Sequence, residues 1–243
     1  MHVVVTGASS GIGEAIAREW AKAGASITLV ARRKEVMEAL AKELGNRTQV
    51  VAADLSKPEL AADWLAGAEA GLGPVDVLVN NAGMQIVANF VDASPEEGER
   101  LFALNLSTPL RLIHAVLPAM LARRSGAIVN VASIAGFVPT PGMVHYCASK
   151  AGLGTASETL RGELRGTGVR VVTVDPGPVD TPMMRKAVDA LSESSSLASK
   201  MPAGTTDVLA RLIRRAVDKD TRRVVYPGFY SARRWLAPGV APR

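Results

Sequence analysis

The sequence predicts one α/β domain: a doubly wound parallel sheet of seven strands with helices on both faces. Three observations carry this prediction. Short apolar runs recur at Val3–Val5, Ile27–Val30, Gln49–Ala52, Val75–Val79, Ala127–Val131, Arg170–Val174 and Arg223–Tyr226, and helical patterns separate them. Such alternation builds βα units, and right-handed crossovers then place helices on both faces of a parallel sheet. The first run ends in Thr6-Gly7-Ala8-Ser9-Ser10-Gly11-Ile12-Gly13, and a helical pattern follows from Ile12 to Ala23. In a strand, glycine turn and helix of this kind the backbone can approach a pyrophosphate, which the N–H groups of the helix N-terminus face. No Gly/Ser-rich or Pro-rich linker interrupts residues 1–243, so they read as a single domain.

Composition narrows the function classes. Apolar residues make up 48% of the chain, as in a globular protein. The first residues already form a strand, which argues against a signal peptide, and no uncharged apolar run reaches spanning length. The stretch Leu110 to Leu121 contains Arg111, His114 and Pro118 and reads as a buried helix. The single cysteine, Cys147, excludes an internal disulfide and suits a reducing, cytoplasmic setting. It reads as a small buried filler.

The net charge of +5 comes with arginine pairs at 32–33, 123–124, 214–215, 222–223 and 233–234. These are scattered and lack interleaved aromatics, which argues against nucleic acid as a partner. Apart from Arg32, they read as solvated faces. His2, His114 and His145 lack metal-ligand spacing, so no metal site is expected. His145 points away from Tyr146 on a helix and reads as structural.

Tyr146 and Lys150 stand four residues apart, and Ser133 lies thirteen residues before Tyr146. On a helix, positions i and i+4 share a face, so phenol and ammonium point into one space. A free tyrosine titrates near pH 10, and a neighbouring cation lowers that value. A phenol tuned this way exchanges a proton with a ketone or alcohol oxygen, which Ser133 is placed to hold by a hydrogen bond.

The end of the second strand speaks to the nucleotide. In dinucleotide folds an acidic residue there binds the ribose 2′-hydroxyl, and a basic one accepts a 2′-phosphate. Here Ala31 occupies the acidic position, eighteen residues after Gly13, and Arg32 and Arg33 follow. A guanidinium binds phosphate bidentately where a carboxylate would repel it. NADP(H) is therefore the expected cofactor.

Together these residues resemble the short-chain dehydrogenase/reductase family, with its Rossmann fold. The resemblance runs from Val3 to about Val225 through five motifs in order. They are the turn Thr6-Gly7 to Gly13, Asn80-Asn81-Ala82-Gly83, Asn105, the Ser133, Tyr146 and Lys150 set, and Pro176-Gly177-Pro178-Val179-Asp180-Thr181. It implies hydride transfer between nicotinamide and a carbonyl or carbinol carbon. Asn105, Ser133, Tyr146 and Lys150 would form the catalytic tetrad, with Asn105 holding a water that links Lys150 to solvent. On its own terms Asn105 also reads as a helix-kinking polar residue. Gly7, Ser9, Ser10, Gly11, Ile12 and Gly13 would cradle the cofactor phosphates. Asp54 and Leu55 would flank the adenine, and Asn80, Ala82 and Gly83 the ribose side. Pro176, Gly177, Val179 and Thr181 would meet the nicotinamide, and Lys150 its ribose.

The expected substrate is a lipophilic small-molecule carbonyl or secondary alcohol. Its candidate contacts, beside Ser133 and Tyr146, are Gln85, Ile134, Ala135, Thr140, Met143, Met183, Met184 and Leu191. Residues 180–203 are rich in Met and Ser and are expected to form a substrate lid, as the resemblance implies. The tail 227–243 departs from the family pattern and reads as a surface segment, a cover for the pocket, or a subunit or peripheral membrane contact. A homo-oligomer is expected, a dimer first, through helices near residues 98–123 and 144–166. Two rival readings stand beside the carbonyl reductase: a 3-oxoacyl carrier-protein reductase, with Arg123 and Arg124 meeting an acidic carrier, and a non-catalytic cofactor-binding regulator. The intact Ser133, Tyr146 and Lys150 set argues against the regulator.

Overall fold

A computed structural model describes residues 1–45, 47–192 and 203–228. The side chain of Leu191, the lid residues 193–202 and the tail from 229 onward lie outside the described residues. Seven strands form one parallel sheet: β1 (His2–Thr6), β2 (Ser26–Ala31), β3 (Thr48–Ala52), β4 (Val77–Asn80), β5 (Gly126–Val131), β6 (Val169–Pro176) and β7 (Arg223–Tyr226), in the order β3-β2-β1-β4-β5-β6-β7. The order reverses direction beside β1, so the strand ends of β1 and β4 open a crevice.

The helices are α1 (Gly11–Lys22), α2 (Lys34–Leu44), α3 (Leu65–Leu72), α4 (Pro95–Phe102), α5 (Thr108–Arg123), α6 (Val144–Glu163), α7 (Pro182–Ser192) and α8 (Thr206–Asp218). Period-two burial divides the sheet. Val3, Val5, Leu29, Val79, Val129 and Val174 pack under the cluster that includes Ile16 and Trp20 of α1 and Leu209 and Ile213 of α8. Val4, Val30, Leu78, Ile128 and Val171 pack under Leu112, Val116 and Met120 of α5. Both faces are covered, which is why the strands read as continuous apolar runs.

Local chemistry sets the ends of these elements. Ser94 caps α4 by accepting the Glu97 N–H at 3.2 Å, with Pro95 at the first helical position. Thr205 caps α8 by accepting from Val208 N–H at 3.4 Å. Between α4 and α5 the chain makes a π-helical segment, Ala103–Ser107, so Pro95–Arg123 runs as one continuous helix. By length and composition these 29 residues are enough to cross a membrane, but their inner face, with Leu101, Leu112 and Met120, belongs to the core. The outer face is open: Leu110 is 36% and Leu121 37% exposed, so the helix expected to be buried is buried on one side only. α7 starts beside a short parallel bridge, Val179 to Gly204, which ties the beginning of the predicted lid to its end.

Several arginines read as solvated are in fact engaged. Arg123 donates to the Val75 carbonyl at 2.9 Å, and Arg214 pairs with Glu19 at 2.7 Å. Arg223, part-buried, bridges Glu158 and Asp175. Each partner lies far away in sequence, which is why composition alone left these side chains to solvent.

Candidate active site

The crevice is built first from backbone. Gly7 has φ +66°, and a Cβ there would lie 2.8 Å from the Ala82 Cα. A Cβ on Gly13 would lie 2.4 Å from the Gly7 carbonyl oxygen. Only glycine lets the turn after β1 close this tightly on α1 and on the loop after β4. Thr6 holds the two loops together: its Oγ1 donates to the Val79 carbonyl at 3.1 Å and accepts the N–H groups of Asn81 at 2.9 Å and Ala82 at 3.0 Å. Asn81 returns the link through Nδ2, which donates to the Thr6 carbonyl at 2.9 Å.

A cleft of about 880 Å³ follows the C-terminal ends of the strands. Of the predicted cofactor residues, Gly7, Ser9, Ser10, Gly11, Ile12, Arg32, Arg33, Asp54, Leu55, Ala82, Gly83, Pro176, Gly177, Val179 and Thr181 line it. So do Gln85, Ser133, Tyr146, Lys150, Met183 and Met184. Gly13 and Asn80 stand behind the wall. Gly13 backs the turn, and Asn80 Nδ2 donates to Asn130 Oδ1 at 2.9 Å. Ile134, Ala135, Thr140 and Met143 do not line the cleft; Met143 is packed away at 7% exposure.

Tyr146 and Lys150 come from the first turns of α6, as their spacing predicts. Ser133 follows β5, where its side chain caps a short 3-10 turn. Its Oγ accepts the Ala135 N–H at 3.1 Å, approaches the Pro176 carbonyl at 3.3 Å and hydrogen-bonds the Tyr146 hydroxyl. The Lys150 ammonium sits 5.8 Å from the Tyr146 ring centroid and donates to the Val131 carbonyl at 2.8 Å. Burial is the largest influence on both groups. It pushes the tyrosine up from its ordinary value, against the Ser133 hydrogen bond, and pulls the lysine down to about 8, against the pull of Asp175. The expected depression of the tyrosine by Lys150 therefore does not set the balance here.

Asn105 is fully buried in the π segment. Its Oδ1 accepts the Met84 N–H and its Nδ2 donates to the Met84 carbonyl, both at 2.9 Å, and Nδ2 also reaches Ser149 Oγ at 3.1 Å. Its side chain thus clamps the loop after β4 to α6.

The cofactor end carries basic groups. Arg33 Nε donates to Ser9 Oγ at 3.2 Å, and one terminal nitrogen reaches the Ser9 carbonyl at 3.0 Å. Asp54 is held below its usual range, first by the Ser56 N–H and hydroxyl at 3.0 and 2.8 Å, and further by the charges of Arg32 and Arg100.

Sequence reasoning missed Asn81, Met84, Val87, Arg100 and Lys186, all of which line the cleft. Asn81 lay within a quoted motif, but the other four sit on loops or helices with no local signal. His145, expected to be structural, stacks on Phe90 at 5.3 Å between ring centroids and meets Phe102 edge-on at 6.2 Å. Cys147 is only half-buried.

Comparison with known proteins agrees with this geometry. Residues 1–192 match the short chain dehydrogenase family. An uncharacterized oxidoreductase of Staphylococcus epidermidis is 39% identical over 180 residues, 74% of this chain and 78% of that one. A short-chain dehydrogenase from Streptomyces avermitilis superposes with a TM-score of 0.85 at 31% identity, covering 96% of this chain and 90% of its own. The closed form of a serine dehydrogenase complexed with NADP+ superposes with a TM-score of 0.83 at 29% identity, covering 93% of this chain and 94% of its own. Glycine turn, sheet order and the Ser133, Tyr146 and Lys150 cluster thus come together in one assignment: the chain is an oxidoreductase of the short chain dehydrogenase family.

Proposed function

We propose that the protein uses NADP(H) to interconvert a carbonyl and a secondary alcohol on a lipophilic small molecule. The observation that carries this reading is the convergence of Ser133, Tyr146 and Lys150 on the cleft whose other wall holds the glycine turn, Arg32 and Arg33. The residues fit such a cofactor: the glycine cradle leaves no room for a Cβ, and two guanidiniums stand where a 2′-phosphate needs a cationic partner. The nicotinamide, when bound, supplies or receives the hydride.

In the reducing direction Tyr146 gives its proton to the carbonyl oxygen, and Ser133 holds that oxygen by a hydrogen bond. A phenol kept protonated by burial is suited to that acid role. Lys150 stabilises the tyrosinate that remains and holds the nicotinamide ribose. Asn105 supports the pair by fixing α6 against the loop after β4. Val87, Met183 and Met184 give the substrate end its apolar and adaptable lining. The serine dehydrogenase in complex with NADP+ supports the cofactor choice by analogy. Residues 180–203 act as the substrate lid, and two copies of the chain pair through the open faces of α5 and α6.

The test is a panel of ketones, aldehydes and alcohols assayed with NADPH, NADH and their oxidised forms. Turnover of an apolar member with NADPH, lost in Tyr146→Phe while NADPH still binds, is the expected result. Equal turnover by Tyr146→Phe would remove the mechanism.

A further inference from the structure

On the face of β6 that meets α6, a set of buried and part-buried charges runs toward the catalytic end of the sheet. Thr173 and Asp175 both face this side, and both are within 1% of complete burial. Thr173 accepts from Arg161 at 2.9 Å, and Arg161 in turn pairs with Glu158 at 2.6 Å. Arg223 of β7 bridges Glu158 and Asp175. α6 runs against the strand direction, so two residues further along β6 lie beneath an earlier part of the helix, toward Lys150. Val174, beside Asp175, is the register partner of Val131, whose carbonyl accepts the Lys150 ammonium.

The charges within this group do not balance. Arg161 and Arg223 offset Glu158 and Asp175 in number, and Lys150 is the additional cation. The ammonium is nearly buried, at 5% exposure. Taking a lysine out of water favours its neutral form unless an anion faces it. The groups around it are Tyr146 on its own helix, Ser133 after β5, Asn105 in the π segment and Asp175 on β6. Of these, Asp175 is the one that carries a negative charge while the phenol is protonated. A carboxylate this deep is itself costly unless paired, and Arg223 supplies the pair.

We propose that Asp175 is a positioning residue for the reaction: from β6 it keeps Lys150 charged, and Arg223 shares its carboxylate. The inference rests on the reading of Lys150 as the residue that holds the cofactor ribose and stabilises the tyrosinate. It assigns a role to the charged network that the Ser133, Tyr146 and Lys150 set leaves unused. Lys150, drawn down to about 8 by burial, loses its charge as pH turns alkaline, and Asp175 opposes that loss.

The test follows NADPH affinity by fluorescence from neutral to alkaline pH in the intact protein, with melting curves on every variant. Affinity of the wild type should fall as Lys150 loses its proton, in a step near pH 8. Asp175→Asn should move the step to lower pH by about one unit, roughly the small end of the effect of a nearby opposite charge. Arg223→Met should move it the other way, because it removes a cation that competes with Lys150 for Asp175. Loss of packing alone would not move the two variants in opposite directions. Lys150→Ala should abolish the step.

A step removed by Lys150→Ala but left in place by Asp175→Asn overturns this inference and leaves the functional reading intact. A step that survives Lys150→Ala overturns both. Should Asp175→Asn not fold, Arg223→Met decides alone: an upward move supports the role, and no move or a downward one refutes it. Should neither fold, Glu158→Gln decides at a side chain 38% exposed, by a smaller downward move or its absence.

Discussion

The two ends of the sheet bury polar groups on the same face, yet they treat them differently. At the N-terminal end, both ring nitrogens of His2 are used, one against the Gly73 carbonyl and one against Thr28 Oγ1, each at 2.7 Å. Gln49 donates to Thr28 at 2.8 Å and to the Ala68 carbonyl at 2.9 Å, and Asp76 accepts the His2 N–H at 2.8 Å. At the C-terminal end, Asn80 Oδ1 is buried with no hydrogen-bond partner among the described residues, and Lys150 is buried beside a phenol. A closed network adds stability and has nothing left to offer a ligand. An incomplete one costs stability and keeps groups ready for a reacting oxygen or a ribose. Chemistry at one end and stability at the other is the division that follows.

Substitutions should separate the ends. The largest effect belongs to Lys150→Ala, which should lower kcat/KM by at least about a thousandfold, since it removes a charge serving both binding and proton transfer. Steady-state kinetics with NADPH checks it, and near-normal turnover would place the chemistry elsewhere. Next comes Ala31→Asp with Arg32→Ala. It should shift the NADPH-to-NADH ratio of kcat/KM by roughly 100-fold, the worth of a hydrogen-bonded charge. A wild type that already prefers NADH would break the argument from the end of β2.

At the other end, His2→Ala should cost roughly 2–3 kcal/mol of stability by removing the side-chain partner of the Gly73 carbonyl and one of the two partners of Thr28 Oγ1, while kcat per folded molecule stays level. Denaturant melts read this directly. The same histidine gives a pH signature. Burial, outweighing the Gly73 bond and the Asp76 charge, pulls it below its ordinary value of 6.5. As pH falls the unfolded chain takes the proton first, so this share of stability is whole above about 6.5 and is lost as pH drops toward the lower folded value. Melting temperature against pH should show that acid-side loss in the wild type and not in His2→Ala. The smallest effect is Gln85→Ala. Gln85 Nε2 donates to the Met183 carbonyl across the mouth of the cleft at 2.7 Å, an exposed bond worth about 1 kcal/mol, so KM should change by only a few-fold. An unchanged KM would remove that bond from the account of the substrate end.

Much of this was legible in the sequence because the signals are local. Valine-rich runs fall where strands are buried on both faces, and the glycines of the first turn sit where the backbone has no room for a Cβ. The spacing of Tyr146 and Lys150 carries directly onto α6. The errors concern partners distant in sequence. β4 begins at Val77 rather than Val75, and the Asp76 carboxylate just before it accepts the N–H of His2, 74 residues away. Arg223 looked solvated because its partners Asp175 and Glu158 are 48 and 65 positions off. Ile134 and Met143 are neighbours of Ser133 and Tyr146 in sequence, but the 3-10 turn and the start of α6 direct them away from the cleft. Nothing local marks the π segment that turns Asn105 inward.

The most direct test measures turnover with NADPH and melting temperature on the same two variants, Tyr146→Phe and His2→Ala. Tyr146→Phe should lose turnover by about 100-fold or more and melt close to the wild type. His2→Ala should melt several degrees lower, on the order of 2–4 °C per kcal/mol for a chain of this size, and turn over normally once folded. The reverse pattern, with His2→Ala inactive while folded and Tyr146→Phe active, would contradict the division between a catalytic and a stabilising end of the sheet.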